Sequence, residues 1–184
     1  MTAAVVLAAG ASTRLGEPKQ LVVIGGETLL ERAVRTALEA ALSPVIVVVH
    51  DAALIEPLQA RVQVVLNRKH SEGMSTSIHA GVQRAEGMKA DGVVLMTCDQ
   101  PMVTAEHLRR LTASGEVTGS QYAGRCGVPA YFPAASFAEL MQLTGDTGAR
   151  ELLRGAAAVE LPGGELDIDT PADVLEAARR FNAE

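Results

Sequence analysis

The chain has 184 residues and a net charge of −6 at neutral pH; it is 48% apolar, 21% charged and 3% aromatic, with no Trp. That length can bury a core without metal or disulfide staples, and the composition excludes disorder. The acidic balance and the shortage of aromatic rings exclude a broad basic or base-stacking surface for nucleic acid.

The elements read in chain order as strands alternating with helices. "AAVVLA" (3–8), "PVIVVV" (44–49), "VQVVL" (62–66) and "GVVLMT" (92–97) are short, continuous and β-branched, which predicts parallel strands buried on both faces. Ahead of "LLERAVRTALEA", Thr28 and Glu31 form a capping box, and Leu30, Val34, Ala37 and Leu38 recur at helical spacing. "STSIHAGVQRA" (75–85) is the helix after the third strand, with Ser75 as its expected cap, and Thr104 caps "AEHLRRL" after the fourth. Around 117–133 the pattern changes to two short strands joined by a turn. "LDIDTPADV" places Asp167 and Asp169 on one face of a short strand, followed by a helix with Thr170 as cap and Pro171 at its first position. The sum is a single α/β domain over 1–184: a Rossmann-like, doubly wound, mostly parallel sheet with helices on both faces. Cys98 and Cys126 neither pair nor cluster, and both read as small buried hydrophobes. The apolar runs are too short to span a bilayer and "MTAAVV" carries no basic leader, so a cytoplasmic protein without a membrane partner is expected.

In such sheets ligands sit beyond the carboxyl ends of the strands. After the first strand come the small residues Ala8, Ala9 and Gly10, then Arg14, Pro18 and Lys19. Small residues let backbone N–H groups approach an anion, and the two cations can neutralise phosphate; the other reading is a plain connection with two solvated cations. After the third strand, the amide of Asn67 could read a base or ribose, Gly73 and Ser77 flank a helix N-terminus, and Gly81 leaves room for something flat. Arg68, Lys69 and His70 read as a solvated turn, and His79 as structural. After the fourth strand stands Asp99, in "CDQP", either a turn former or a ligand for Mg²⁺ that holds phosphate oxygens. Asp167 or Asp169 would be the second carboxylate, Asp169 being favoured because it directly precedes the capped helix.

These segments together resemble the MobA-like nucleotidyltransferases, most closely the cytidylyltransferases that act on molybdopterin. The resemblance is carried by "LAAGASTRLGEPKQL" (7–21), "EGMSTSIHAG" (72–81), "CDQP" (98–101), "GVPAYFP" (127–133), "GDTGARELL" (145–153) and "DIDTPAD" (167–173). It implies a Mg²⁺-dependent transfer of a nucleoside monophosphate from an NTP, with release of pyrophosphate. The backbone of Leu7, Ala8, Ala9 and Gly10 would meet the nucleotide, with Arg14 and Lys19 on its phosphates. Asn67, Ser77 and Gly81 would border base and sugar, Asp99 and Asp169 would hold the metal, and Asp146 and Arg150 would face the acceptor. Ala9 stands where the guanylyl branch has glycine, which points to CTP, and "GVP" replaces a common Gly-His-Pro. The family role implies contact with a recipient molybdoenzyme or its chaperone, and the absence of a long exposed apolar stripe suggests a monomer. A sugar or polyol phosphate acceptor and a non-catalytic molybdenum-cofactor chaperone are the alternatives.

Overall fold

The computed structural model describes residues 1–10, 12 and 14–182. It contains β1 (Thr2–Leu7), a small antiparallel ribbon of β2 (Val23–Ile24) and β3 (Glu27–Thr28), α1 (Leu29–Glu39), β4 (Val45–Val49), β5 (Gln63–Leu66), α2 (Met74–Gly87), β6 (Gly92–Thr97), α3 (Ala105–Thr112), β7 (Thr118–Tyr122), β8 (Arg125–Pro133), α4 (Phe137–Leu140), β9 (Ala157–Glu160) and α5 (Pro171–Asn182). The main sheet runs β5-β4-β1-β6-β8-β7-β9, and β8 alone runs against the rest. None of the described helices is long and apolar enough to cross a membrane.

β1 lies in the middle, paired with β4 and β6, because its residues Ala3 to Val6 are apolar on both faces and fully buried. Alternation divides them. Ala4 and Val6 join Val47, Val94 and Met96 under α1 and α3, while Ala3 and Val5 join Ile46, Val48 and Leu95 under α2 and α4. The capping box of α1 is present in full, the Thr104 hydroxyl accepts from the His107 amide, and Thr170 caps α5 reciprocally with Asp173. His107 is itself buried and bonded at 2.7 Å to Ser120; burial holds its pKa down at about 4, so it stays neutral within the packing.

Two expectations from the sequence are corrected. β5 is an edge strand, and with no strand beyond it Val64 and Leu66 are exposed rather than buried. The connection after β4, to which the sequence assigned no element, is a 3-10 helix, Ala52–Arg61. Residues 166–169 form no strand: the Ile168 amide donates to the Asp99 carbonyl at 2.9 Å, and this single backbone link ties the segment to the end of β6. Ile168 is fully buried beside Ile24 and Leu29, while Asp167 and Asp169 flank it as part-exposed residues.

The β7–β8 connection is a two-residue turn, Ala123-Gly124, with φ of 48° and 71°. Both values demand the left-handed region, which suits the twist of the hairpin and is natural for glycine but strained for alanine. Ala123→Asn is expected to stabilise the protein by about 1 kcal/mol in urea unfolding, since Asn tolerates that region; an unchanged midpoint would contradict the assignment of strain.

Candidate functional site

The site forms where the ends of β1 and β6 meet the segment before α5. Ala8 and Ala9 are buried, and the fully buried Gln20 donates from Nε2 to the carbonyl oxygens of Ala8 (2.6 Å) and Gly10 (3.3 Å). Its Oε1 is buried without a partner among the described residues. Pro18 leads into a 3-10 turn, Lys19–Leu21, and the Lys19 amide donates to the Ser12 hydroxyl at 3.0 Å. The start of Lys19 is therefore fixed, and its side chain projects across the strand ends.

There its ammonium donates to Asp99 Oδ2 at 2.8 Å and to Asp169 Oδ1 at 2.7 Å. Burial alone would lower the lysine pKa, but the Asp99 charge and the hydrogen bonds to both carboxylates outweigh it and hold the group well above its usual range. Asp169 is set in turn by its backbone amide, which donates to the Asp173 carboxylate at 3.1 Å. Arg14 approaches Asp169 only at 3.7 Å and is largely exposed, so it sits on the rim. Asp167, 3.8 Å from Arg125, is pushed up to about 6 by burial and by the neighbouring charge of Asp99. The Cys98 thiol is pushed up to about 12, chiefly by burial, and is no nucleophile at neutral pH.

Two cavities open beside this ion cluster, and Asp169 lines neither. The smaller, about 280 Å³, is lined by Leu7, Ala8, Ala9, Gly10, Lys19, Gln20, His70 and Ser77. The larger, about 470 Å³, is lined by Gln100, Tyr122, Arg125, Arg150, Arg154 and Asp167. Met74, Thr97, Asp99 and Asp146 line both, so the cavities meet at Asp99. Asp146 reaches this junction through a close backbone crossing. Gly73, at φ 115°, would bring any Cβ to 2.5 Å from the Gly145 carbonyl oxygen, and the Ser75 amide donates to that same oxygen at 3.0 Å.

Several residues stand elsewhere than the sequence suggested. Asn67 lines neither cavity: Nδ2 donates to the hydroxyls of Thr76 and Ser77, and Oδ1 accepts from the Lys69 amide. Its amide is spent on fastening the start of α2, and it acts on the cavity through Ser77. Gly81 packs against the sheet, where a Cβ would collide with Val5 and press on Val48 at 3.3 Å; the flat object it accommodates is the sheet itself. Ser75 does not cap α2, since Gly73 occupies the cap position. His70 is no solvated turn residue: it lines the smaller cavity, with its ring 4.9 Å from that of His50. Gln20, Met74, Gln100, Tyr122 and Arg125 were not foreseen. For Gln20 the signal was available in a polar residue beside Lys19; the others depend on tertiary contacts.

For a metal, the relevant fact is that two carboxylate oxygens converge on one cationic nitrogen. Among the described residues no cluster of three or more His, Cys, Asp or Glu is arranged for a metal. This donor set fits a hard cation such as Mg²⁺, which takes one or two carboxylates and completes its shell with water and substrate oxygens.

A profile of the MobA-like NTP transferase domain matches residues 4–161. The chain belongs to this family. It is therefore a nucleotidyltransferase by family, and its sheet has the Rossmann-like architecture of the nucleotide-diphospho-sugar transferases. The chain is 36% identical over 188 residues to the purine catabolism protein PucB of Bacillus subtilis, covering 92% of each chain. It is 33% identical over 121 residues to a probable molybdenum cofactor guanylyltransferase of Bacillus mycoides, covering 65% of this chain and 58% of that protein. Among solved structures, Rv0371c of Mycobacterium tuberculosis in complex with manganese superposes with a TM-score of 0.76 at 30% identity, covering 97% of this chain and 98% of that one.

Because burial and the Asp99 charge raise Asp167, its ionisation costs stability in the folded protein. The cost is absent below about pH 4, grows as the pH rises through 6, and is complete above it. Asp167→Asn is expected to melt at a higher temperature than wild type above pH 6 and to converge with it near pH 4; a constant difference across that range would contradict the assignment.

Proposed function

We propose that this MobA-like protein transfers CMP from CTP to the phosphate of molybdopterin, releasing pyrophosphate, with Mg²⁺ held by Asp99 and Asp169. The observation that carries this reading is the junction of two cavities at Asp99, whose carboxylate Lys19 ties to Asp169. A group transfer between two substrates needs such a junction, with charge-neutralising groups at the point of exchange.

In this reading the smaller cavity takes the nucleotide, against the backbone of Leu7, Ala8, Ala9 and Gly10 and the Ser77 hydroxyl. Lys19 and Arg14 neutralise the triphosphate, and Lys19 stabilises the pyrophosphate as it leaves. The larger cavity takes the acceptor, with Arg125 and Arg150 as cations for its phosphate and Asp146 at the junction. An acceptor phosphate oxygen attacks the α-phosphorus in line as the bond to the β-phosphate oxygen breaks. No protein nucleophile and no general base is needed, because the attacking oxygen is already an anion. The bound metal would supply charge neutralisation on the phosphate oxygens. The choice of CTP rests on Ala9, which lines the smaller cavity and stands where the guanylyl branch has glycine.

Pyrophosphate release should require both CTP and molybdopterin and be slower with GTP or ATP. Asp99→Asn should lower it by about 100-fold or more while leaving the thermal melt near that of wild type. Release with a sugar or polyol phosphate in place of molybdopterin would redirect the acceptor assignment. No release with any pair would leave a cofactor-carrying role instead.

A further inference from the structure

We propose that Lys19 is a placeholder for the divalent ion: its ammonium holds the point between Asp99 and Asp169 in the nucleotide-free protein and leaves it only when a triphosphate offers it new partners. This rests on the metal and nucleotide assignments of the preceding subsection and adds an order of binding to them.

The ammonium lies 2.8 Å from Asp99 Oδ2 and 2.7 Å from Asp169 Oδ1, and its side chain is 13% exposed. Any divalent ion bridging those oxygens, at the roughly 2.0–2.1 Å typical of Mg²⁺, would have to take the space that Nζ fills. The two cations compete for one pair of anions. Without a cation the two carboxylates would repel one another, so the nucleotide-free protein needs Lys19 there. Arg14 cannot replace it, since its guanidinium stands 3.7 Å from Asp169 on an exposed rim.

Displacement requires no backbone rearrangement. The Lys19 amide stays fastened to the Ser12 hydroxyl at 3.0 Å, and the residue also lines the smaller cavity. Rotation of its four-carbon stem suffices to carry Nζ from the carboxylates into that cavity, where triphosphate oxygens can receive it. Metal entry and nucleotide entry then promote each other by the same factor. The metal arrives with the nucleotide rather than before it, and the protein stays free of divalent ions while it waits for substrate.

The test measures Mn²⁺ affinity by calorimetry and by the EPR signal of the free ion, on wild type, Lys19→Met and Asp99→Asn, each with and without α,β-methylene-CTP. Lys19→Met is expected to bind Mn²⁺ alone at least about tenfold more tightly than wild type, and the analogue should strengthen Mn²⁺ binding far more in wild type than in the variant. Lys19→Gln, which keeps a neutral donor, has the same expected sign and serves if the Met variant unfolds. Equal or weaker Mn²⁺ binding in both Lys19 variants, with Asp99→Asn still losing Mn²⁺ in the presence of the analogue, overturns the placeholder and leaves the metal site standing. Equal Mn²⁺ binding by analogue-bound wild type and Asp99→Asn overturns the metal assignment, and the placeholder with it.

Discussion

One ammonium group joins three distant parts of the chain. Lys19 bonds Asp99, 80 residues away, and Asp169, 150 residues away, and both partners lie at the same end of the sheet. Each carboxylate is costly there without a cation, and burial together with the Asp99 charge holds the neighbouring Asp167 above its usual range. The loop after β1, the end of β6 and the segment before α5 are thereby held to a common point. Two cavities meet beside that point, at Asp99.

The sheet makes that convergence possible. β1 and β6 are parallel neighbours in register from Thr2 with Gly92 to Leu7 with Thr97, so the loops that follow them leave the sheet side by side. The Ile168 amide on the Asp99 carbonyl then brings the C-terminal segment to the same edge. On the opposite side of the smaller cavity α2 must lie low, and Gly81 lets it do so by putting nothing between the helix and Val5. Gly73 repeats the device eight residues earlier, bringing the 145–146 backbone over the junction. Small residues here set the height of the walls, while the charged residues set the chemistry.

Much of this was readable in advance because it depends on local chemistry. Continuous β-branched runs gave the core strands, Thr28 with Glu31 gave the start of α1, and a carboxylate directly after a buried strand pointed to the working edge. What was not readable depends on tertiary neighbours. A glycine beside a ligand and a glycine beside a sheet look alike in sequence, so Gly81 was misplaced. A buried amide such as Asn67 finds its partners in Thr76 and Ser77 only once α2 is docked. Val64 and Leu66 look like core residues, and only their place at the edge of the sheet exposes them. "LDID" alternates like a strand, but it has one ladder bond and no strand to complete it.

In the proposed binding order, one point between Asp99 and Asp169 is shared in turn by an ammonium and a metal ion. The most direct measurement is a crystal structure with Mn²⁺ and α,β-methylene-CTP, using the anomalous signal of manganese to locate the ion. A peak is expected between Asp99 and Asp169, with Lys19 turned into the smaller cavity against the phosphates. Manganese bound elsewhere, with Lys19 still bridging the two carboxylates, would contradict it.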